Sequence, residues 1–110
     1  MRIVDRGTFL ALPEGTLYYK YKPEIFEELS IKGGTCGNDF VCLPLNDIVE
    51  ANDSCVESEL LEAGEKGGAD IPIAFDNFGR DGMFDPDQLF AVLSKEEAKR
   101  LVLFLMAEVL

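Results

Sequence analysis

The sequence predicts a single α+β domain: a small, mostly antiparallel sheet with an acidic helix and a long apolar C-terminal helix. Short β-branched and aromatic stretches between turn residues point to the sheet. Two capping-box patterns, Ser54 with Glu57 and Ser94 with Glu97, each open a run of helical spacing. No repeat, linker or low-complexity tract divides the 110 residues, a length near the commonest size of one domain.

Asp5 caps a short helix, with Val4 before it and Phe9 after it forming a hydrophobic staple. Gly7 weakens that helix, and Pro13-Glu14-Gly15 ends it in a turn. Thr16 to Tyr21 alternates as a strand, Leu17, Tyr19 and Tyr21 on one face and Tyr18 and Lys20 on the other. Lys22-Pro23 stops it. Glu24 to Lys32 admits two readings: Ile25, Phe26 and Leu29 suit a helical turn, whereas Leu29-Ser30-Ile31-Lys32 alternates as a strand ending at Gly33-Gly34. The strand is favoured for the second half. Phe40 to Leu45 is a stronger strand, with Pro44 marking an edge or a bulge.

The acidic helix starts at Ser54 and meets a stop at Gly64. Val56, Leu60 and Ala63 form its inward stripe, and Glu57, Glu59, Glu62 and Glu65 fan across the opposite side. Glu62 and Glu65 stand near the carboxyl end, where the helix dipole disfavours each by about a few tenths of a kcal/mol. Stability alone does not select them there. Ile71 to Phe75 reads as a further strand with an edge-marking Pro72, and Leu89 to Leu93 as a short buried strand or a helical turn. Ser94 caps the last helix, whose core stripe is Ala98, Leu101, Val102, Leu105 and Val109. Leu103, Phe104, Met106, Ala107 and Leu110 leave little polar face. That helix is therefore either sandwiched in the fold or part of a contact between chains, as in a homodimer.

Charge is distributed unevenly. Met1 to Lys32 holds five bases and five acids, and Ala91 onward three of each. Gly33 to Phe90 holds two bases and thirteen acids, which is the whole net charge of −11. Such a field repels nucleic acid and anionic membrane and attracts basic protein surfaces. With 47% hydrophobic and 28% charged residues the composition is that of a folded globular protein, not a disordered tail.

The chain has no histidine, which rules out His-dependent triads and every His-containing zinc site. Carboxylate or lysine chemistry is left open, but no pair among so many acids marks itself out, and the expectation is a non-enzyme. Cys36, Cys42 and Cys55 are too widely spaced for a zinc knuckle and odd in number, so they read as reduced, packed thiols. No apolar run follows Arg2, and the Leu101–Leu110 tail is too short to span a bilayer, so the expected location is cytoplasmic.

Asp76 to Gln88 resembles a calcium loop in outline. With Gly82 at the sharp turn, Asn77, Asp81 and Asp85 take ligand positions. Gly79 stands where an oxygen donor belongs, however, and Gln88 replaces the closing bidentate Glu. The competing reading is a Gly-rich connection in which Arg80 neutralises neighbouring aspartates and Asp85-Pro86 starts a turn. No cofactor is expected, and a cation-binding module on this loop is the alternative function. Tyr18, Tyr19 and Tyr21 interleaved with Lys20 and Lys22 would suit base stacking, but the acidic field opposes it.

Several stretches resemble small uncharacterised proteins encoded by tailed bacteriophages and prophages: Thr8-Phe9-Leu10, Leu12 to Thr16, Ile31-Lys32-Gly33, Asn38-Asp39-Phe40, Gly79 to Asp85, and Gln88 to Val92. No catalytic residue travels with that resemblance. It implies the company of accessory proteins that bind and redirect host machinery, including defence systems. The expected function is thus non-enzymatic binding of a basic or nucleic-acid-binding host protein through Glu57, Glu59, Glu62, Glu65, Asp76, Asp81, Asp85 and Asp87. The acids would imitate the charge of a nucleic-acid backbone, about one per 1.7 Å of duplex.

Overall fold

A computed structural model describes all residues, Met1–Leu110. Strand β1 (Arg2–Val4) leads into helix α1 (Arg6–Leu10), which Asp5 caps by accepting the Thr8 amide at 2.8 Å. Strands β2 (Leu17–Lys22), β3 (Ile25–Cys36) and β4 (Asp39–Pro44) form a meander. Helix α2 (Ser54–Gly67), the two-residue strand β5 (Gly79–Arg80), strand β6 (Leu89–Val92) and helix α3 (Lys95–Val109) complete the chain. The sheet runs β1-β6-β2-β3-β4-β5 with every neighbouring pair antiparallel, so the fold is α+β. No helix is long and apolar enough to cross a membrane.

Alternation along the strands gives the sheet two unlike faces. Tyr18, Phe40, Cys42, Phe90 and Val92 point to the side of α1, where Phe9 drops into the middle of them. Phe9 stacks on Phe90 with ring centroids 3.9 Å apart and meets Tyr18 and Phe40 edge-on at 4.7 and 4.9 Å. Asp5 and Val4 explain its placement: the cap fixes the first turn of α1, and Val4 packs beside the cluster. On the other face, Leu43 and Ala91 are buried, but their partners Ile31 and Tyr19, with Tyr21 and Leu29, are only half-buried. Only 12 of the 110 residues are buried, so the aromatic cluster carries most of the core.

Several expectations are corrected. Glu24 to Lys32 has no helical turn, because Lys22 pairs with Ile25 across a tight Pro23-Glu24 turn. Pro23 sets the first corner, and Glu24 takes the left-handed conformation (φ 68°) at the second, as a type II turn demands. Strand β3 does not stop at Gly33-Gly34 but slips register there, since a Cβ on Gly33 would meet the Val41 carbonyl at 3.1 Å. The sequence reading missed β1 and β5, which are too short to show periodicity. Ile71 to Phe75 forms no strand of the sheet. It makes one bridge, Ile73 to Val49, because Pro72 has no N–H with which to extend a ladder.

Both long helices also differ in the face they bury. Asp53, not Ser54, caps α2, accepting the Val56 amide at 2.9 Å, and Gly68 rather than Gly64 ends it in the left-handed conformation. The covered stripe is Glu57, Leu60 and Gly64, while Val56 and Ala63 are exposed. Gly64 decides this: a Cβ there would lie 2.8 Å from Ile71 Cδ1, so the chain approaches along the glycine edge. Glu57 therefore belongs to the inner side. In α3 the capping box forms as expected, Ser94 and Glu97 exchanging bonds of 3.1 and 2.9 Å. Of its predicted core stripe, however, only Ala98 and Leu101 are half-buried, and Val102, Leu105 and Val109 are exposed. The domain covers just the first two turns.

Candidate interaction surface

The acids expected to meet a partner separate into three groups. Glu59, Glu62 and Glu65 stand exposed on α2, which has no buried residue. One of them is locally balanced, Lys66 Nζ lying 2.6 Å from Glu62. Asp76, Asp85 and Asp87 are exposed on the connection between α2 and β6. Glu57 and Asp81 are withdrawn. Asp81 is a structural ion-pair partner, with Lys20 Nζ 2.6 Å from its carboxylate, which also accepts the Met83 amide at 3.2 Å. It is not available to a second protein.

A second carboxylate, unnoticed in the sequence, holds the same connection. Asp39 is buried and accepts from the Phe40 and Gly82 amides at 2.9 and 3.0 Å and from Arg80 Nε at 2.9 Å. Burial alone would raise its pKa, but these donors outweigh it and hold the carboxyl below its ordinary range. Arg80 thus neutralises an aspartate 41 residues away, not its neighbours. Asn77 ties the start of the connection by donating to the Val49 carbonyl at 3.0 Å. Asp85 accepts the Asp87 amide at 2.9 Å, the expected Asp-Pro turn.

What these anchors present is mixed. Phe75, Phe78, Met83 and Phe84 are 46 to 62% exposed, interleaved with Asp76, Asp85 and Asp87. Aromatic anchors inside a polar rim are the composition of protein–protein contacts. In the sequence this segment stands out for its charge and its calcium-loop outline; the exposure of its aromatics is visible only in the fold.

The calcium ligands do not assemble. Asn77, Asp81 and Asp85 are each committed to other partners, and no group of three or more His, Cys, Asp or Glu side chains converges anywhere. Millimolar calcium is therefore expected to leave the melting temperature within about one degree. A calcium-saturated site would add roughly 2.7 kcal/mol at a hundred times its dissociation constant, a rise of several degrees in a thermal melt.

Other titratable groups serve the core. Lys32 is buried, and burial pulls its pKa down while Glu14 pushes it up; Nζ donates to Thr35 Oγ1 at 2.9 Å. Burial raises both the Tyr18 phenol and the Cys42 thiol, so Cys42 is a packed, unreactive residue. Cys36 and Cys55 are free and exposed, a correction to the expectation that all three thiols are packed. Their stretches lie at the end of β3 and the start of α2, where the domain offers no cover. Comparison with family models, with curated proteins and with solved structures finds no match to this chain.

Proposed function

We propose that this chain is a non-enzymatic accessory protein of phage type that binds a basic or nucleic-acid-binding host protein in the host cytoplasm, occupying it as a nucleic-acid mimic. In this reading it inhibits a host defence or DNA-binding system, contacts no nucleic acid itself, and acts as a homodimer through α3. The observation that carries it is the 75–87 connection, where exposed phenylalanines alternate with exposed aspartates on a backbone pinned by Asp39 and Asp81. A pinned loop loses little conformational entropy on binding, so its contacts count almost fully toward affinity. Exposed Glu59, Glu62 and Glu65 add the negative field that steers a basic partner.

The test starts from the protein that the chain captures from bacterial lysate, titrated against variants by calorimetry. Changing Glu59, Glu62 and Glu65 together to Lys should weaken binding at low salt at least tenfold, about 1.4 kcal/mol. Duplex DNA should compete with the parent chain for the captured protein. Melting should stay within a few degrees, because exposed positions typically change stability by about 0.5 kcal/mol or less. Equal affinity of parent and variant would leave α2 a solvated face and the mimic resting on Asp76 to Asp87 alone; failure of duplex DNA to compete would sink it.

A further inference from the structure

The chain exposes 7595 Å². A folded monomer of this mass exposes about 6,100 Å², so about 1,500 Å² is in excess. Its radius of gyration is 15.9 Å, against about 13 Å for a compact domain of this length. Besides α2 and the 75–87 connection, two apolar surfaces contribute to the excess area. One is α3 beyond Leu101, where Val102, Leu103, Phe104, Leu105, Met106 and Val109 are 47 to 73% exposed. The other is the second face of the sheet, where Phe26 is exposed beside half-buried Tyr19, Tyr21, Leu29 and Ile31.

A sheet face of this kind needs a covering layer, and a helix apolar all round needs cover on more than one side. We infer that each meets the other's need in a second copy: α3 of one protomer lies across the β2–β3 face of its partner, and the partner's helix returns the contact. This rests on the homodimer reading and adds where the helix goes. A groove between α3 and the sheet, lined by Met1, Tyr19, Leu93, Leu101 and Phe104 with Glu97 and Arg100 at the first turns of the helix, leads from the helix onto that face. An obligate dimer buries about 2,000 Å² or more, about 1,000 Å² per chain, which the excess of about 1,500 Å² per chain accommodates.

Charge favours the same occupant. Residues 101–110 carry one charge, Glu108, and the outward residues that pair across β2 and β3, Tyr19, Tyr21, Phe26, Leu29 and Ile31, carry none. The anchored acidic loop lies on the opposite side of the sheet, where Asp81 meets Lys20. A chain with net charge −11 can thus meet its own copy here without bringing the acidic loops together.

Sedimentation of the full chain at about 50 μM tests this, the parent being expected at twice 12.2 kDa. Leu103→Glu on the helix and Phe26→Lys on the sheet should each halve that mass while circular dichroism keeps the parent spectrum. Leu29→Lys, on the same face opposite Tyr19, serves in place of Phe26→Lys if the latter misfolds. Mixing the helix variant with the sheet variant should restore a dimer, because the mixed pair keeps one unaltered helix-on-sheet contact. A parent at 12.2 kDa overturns the homodimer itself. A dimer broken by Leu103→Glu but untouched by the sheet variants keeps the homodimer and overturns the helix-on-sheet docking.

Discussion

Replacing Phe9 by alanine is expected to lower the melting temperature by roughly 15 °C or more. Phe9 is fully buried and touches three other rings of the core, one stacked and two edge-on. Truncating a buried phenylalanine costs about 3–5 kcal/mol, transfer and cavity together. Total stabilities of small domains are only about 5–15 kcal/mol, so little margin remains. The site cannot collapse easily, since Phe90, Tyr18 and Phe40 are held by strand pairing on three different strands. Phe9→Leu keeps much of the volume and should lose less than half as much. Far-UV dichroism during heating measures both. A shift below 5 °C for the alanine variant would mean that the cluster does not hold the domain together.

Asp39→Ala should have the next largest effect, a fall of about 10 °C at neutral pH, because it removes the shared acceptor of two amides and leaves Arg80 without its partner. The pH dependence gives a sharper check. The folded pKa of Asp39 is depressed, so its contribution is present above the unfolded value of about 3.9 and is lost as pH falls through the folded value. Parent and Asp39→Asn should therefore differ most at neutral pH and converge in acid below about pH 4. Parallel curves from pH 7 to pH 2 would remove Asp39 as an ionised anchor. The variant should also weaken partner binding, since Gly82 and Arg80 position the loop that carries Phe78, Met83 and Phe84.

Local signals were legible where local physics decides. The Asp5 cap and the Ser94–Glu97 box form because a side chain and an amide three residues apart need no other part of the protein. Strand alternation in Leu17–Lys22 placed Tyr18 and Tyr19 on opposite faces correctly, since that follows from the pleat. The stripe of α2 was misread because burial there is set by Ile71 closing on Gly64 from outside the helix. Arg80 was assigned to the wrong acid for the same reason: Asp39 reaches it only after β4 and β5 pair.

By itself, the sequence determined the α+β class, the N-caps of α1 and α3, the concentration of acid between Gly33 and Phe90, and the lack of histidine chemistry. These depend on periodicity, short-range bonding and composition. Only the tertiary structure decided which acids remain free. Asp81 and Asp39 became anchors, Glu57 turned inward, and Asp85 and Asp87 stayed exposed beside Phe84. It also decided that α3 leaves the domain uncovered after two turns, because the extent of a layer above a helix depends on elements far away in the chain. A carboxylate's role follows from which cation or amide the fold brings within about 3 Å, and sequence spacing does not encode that distance.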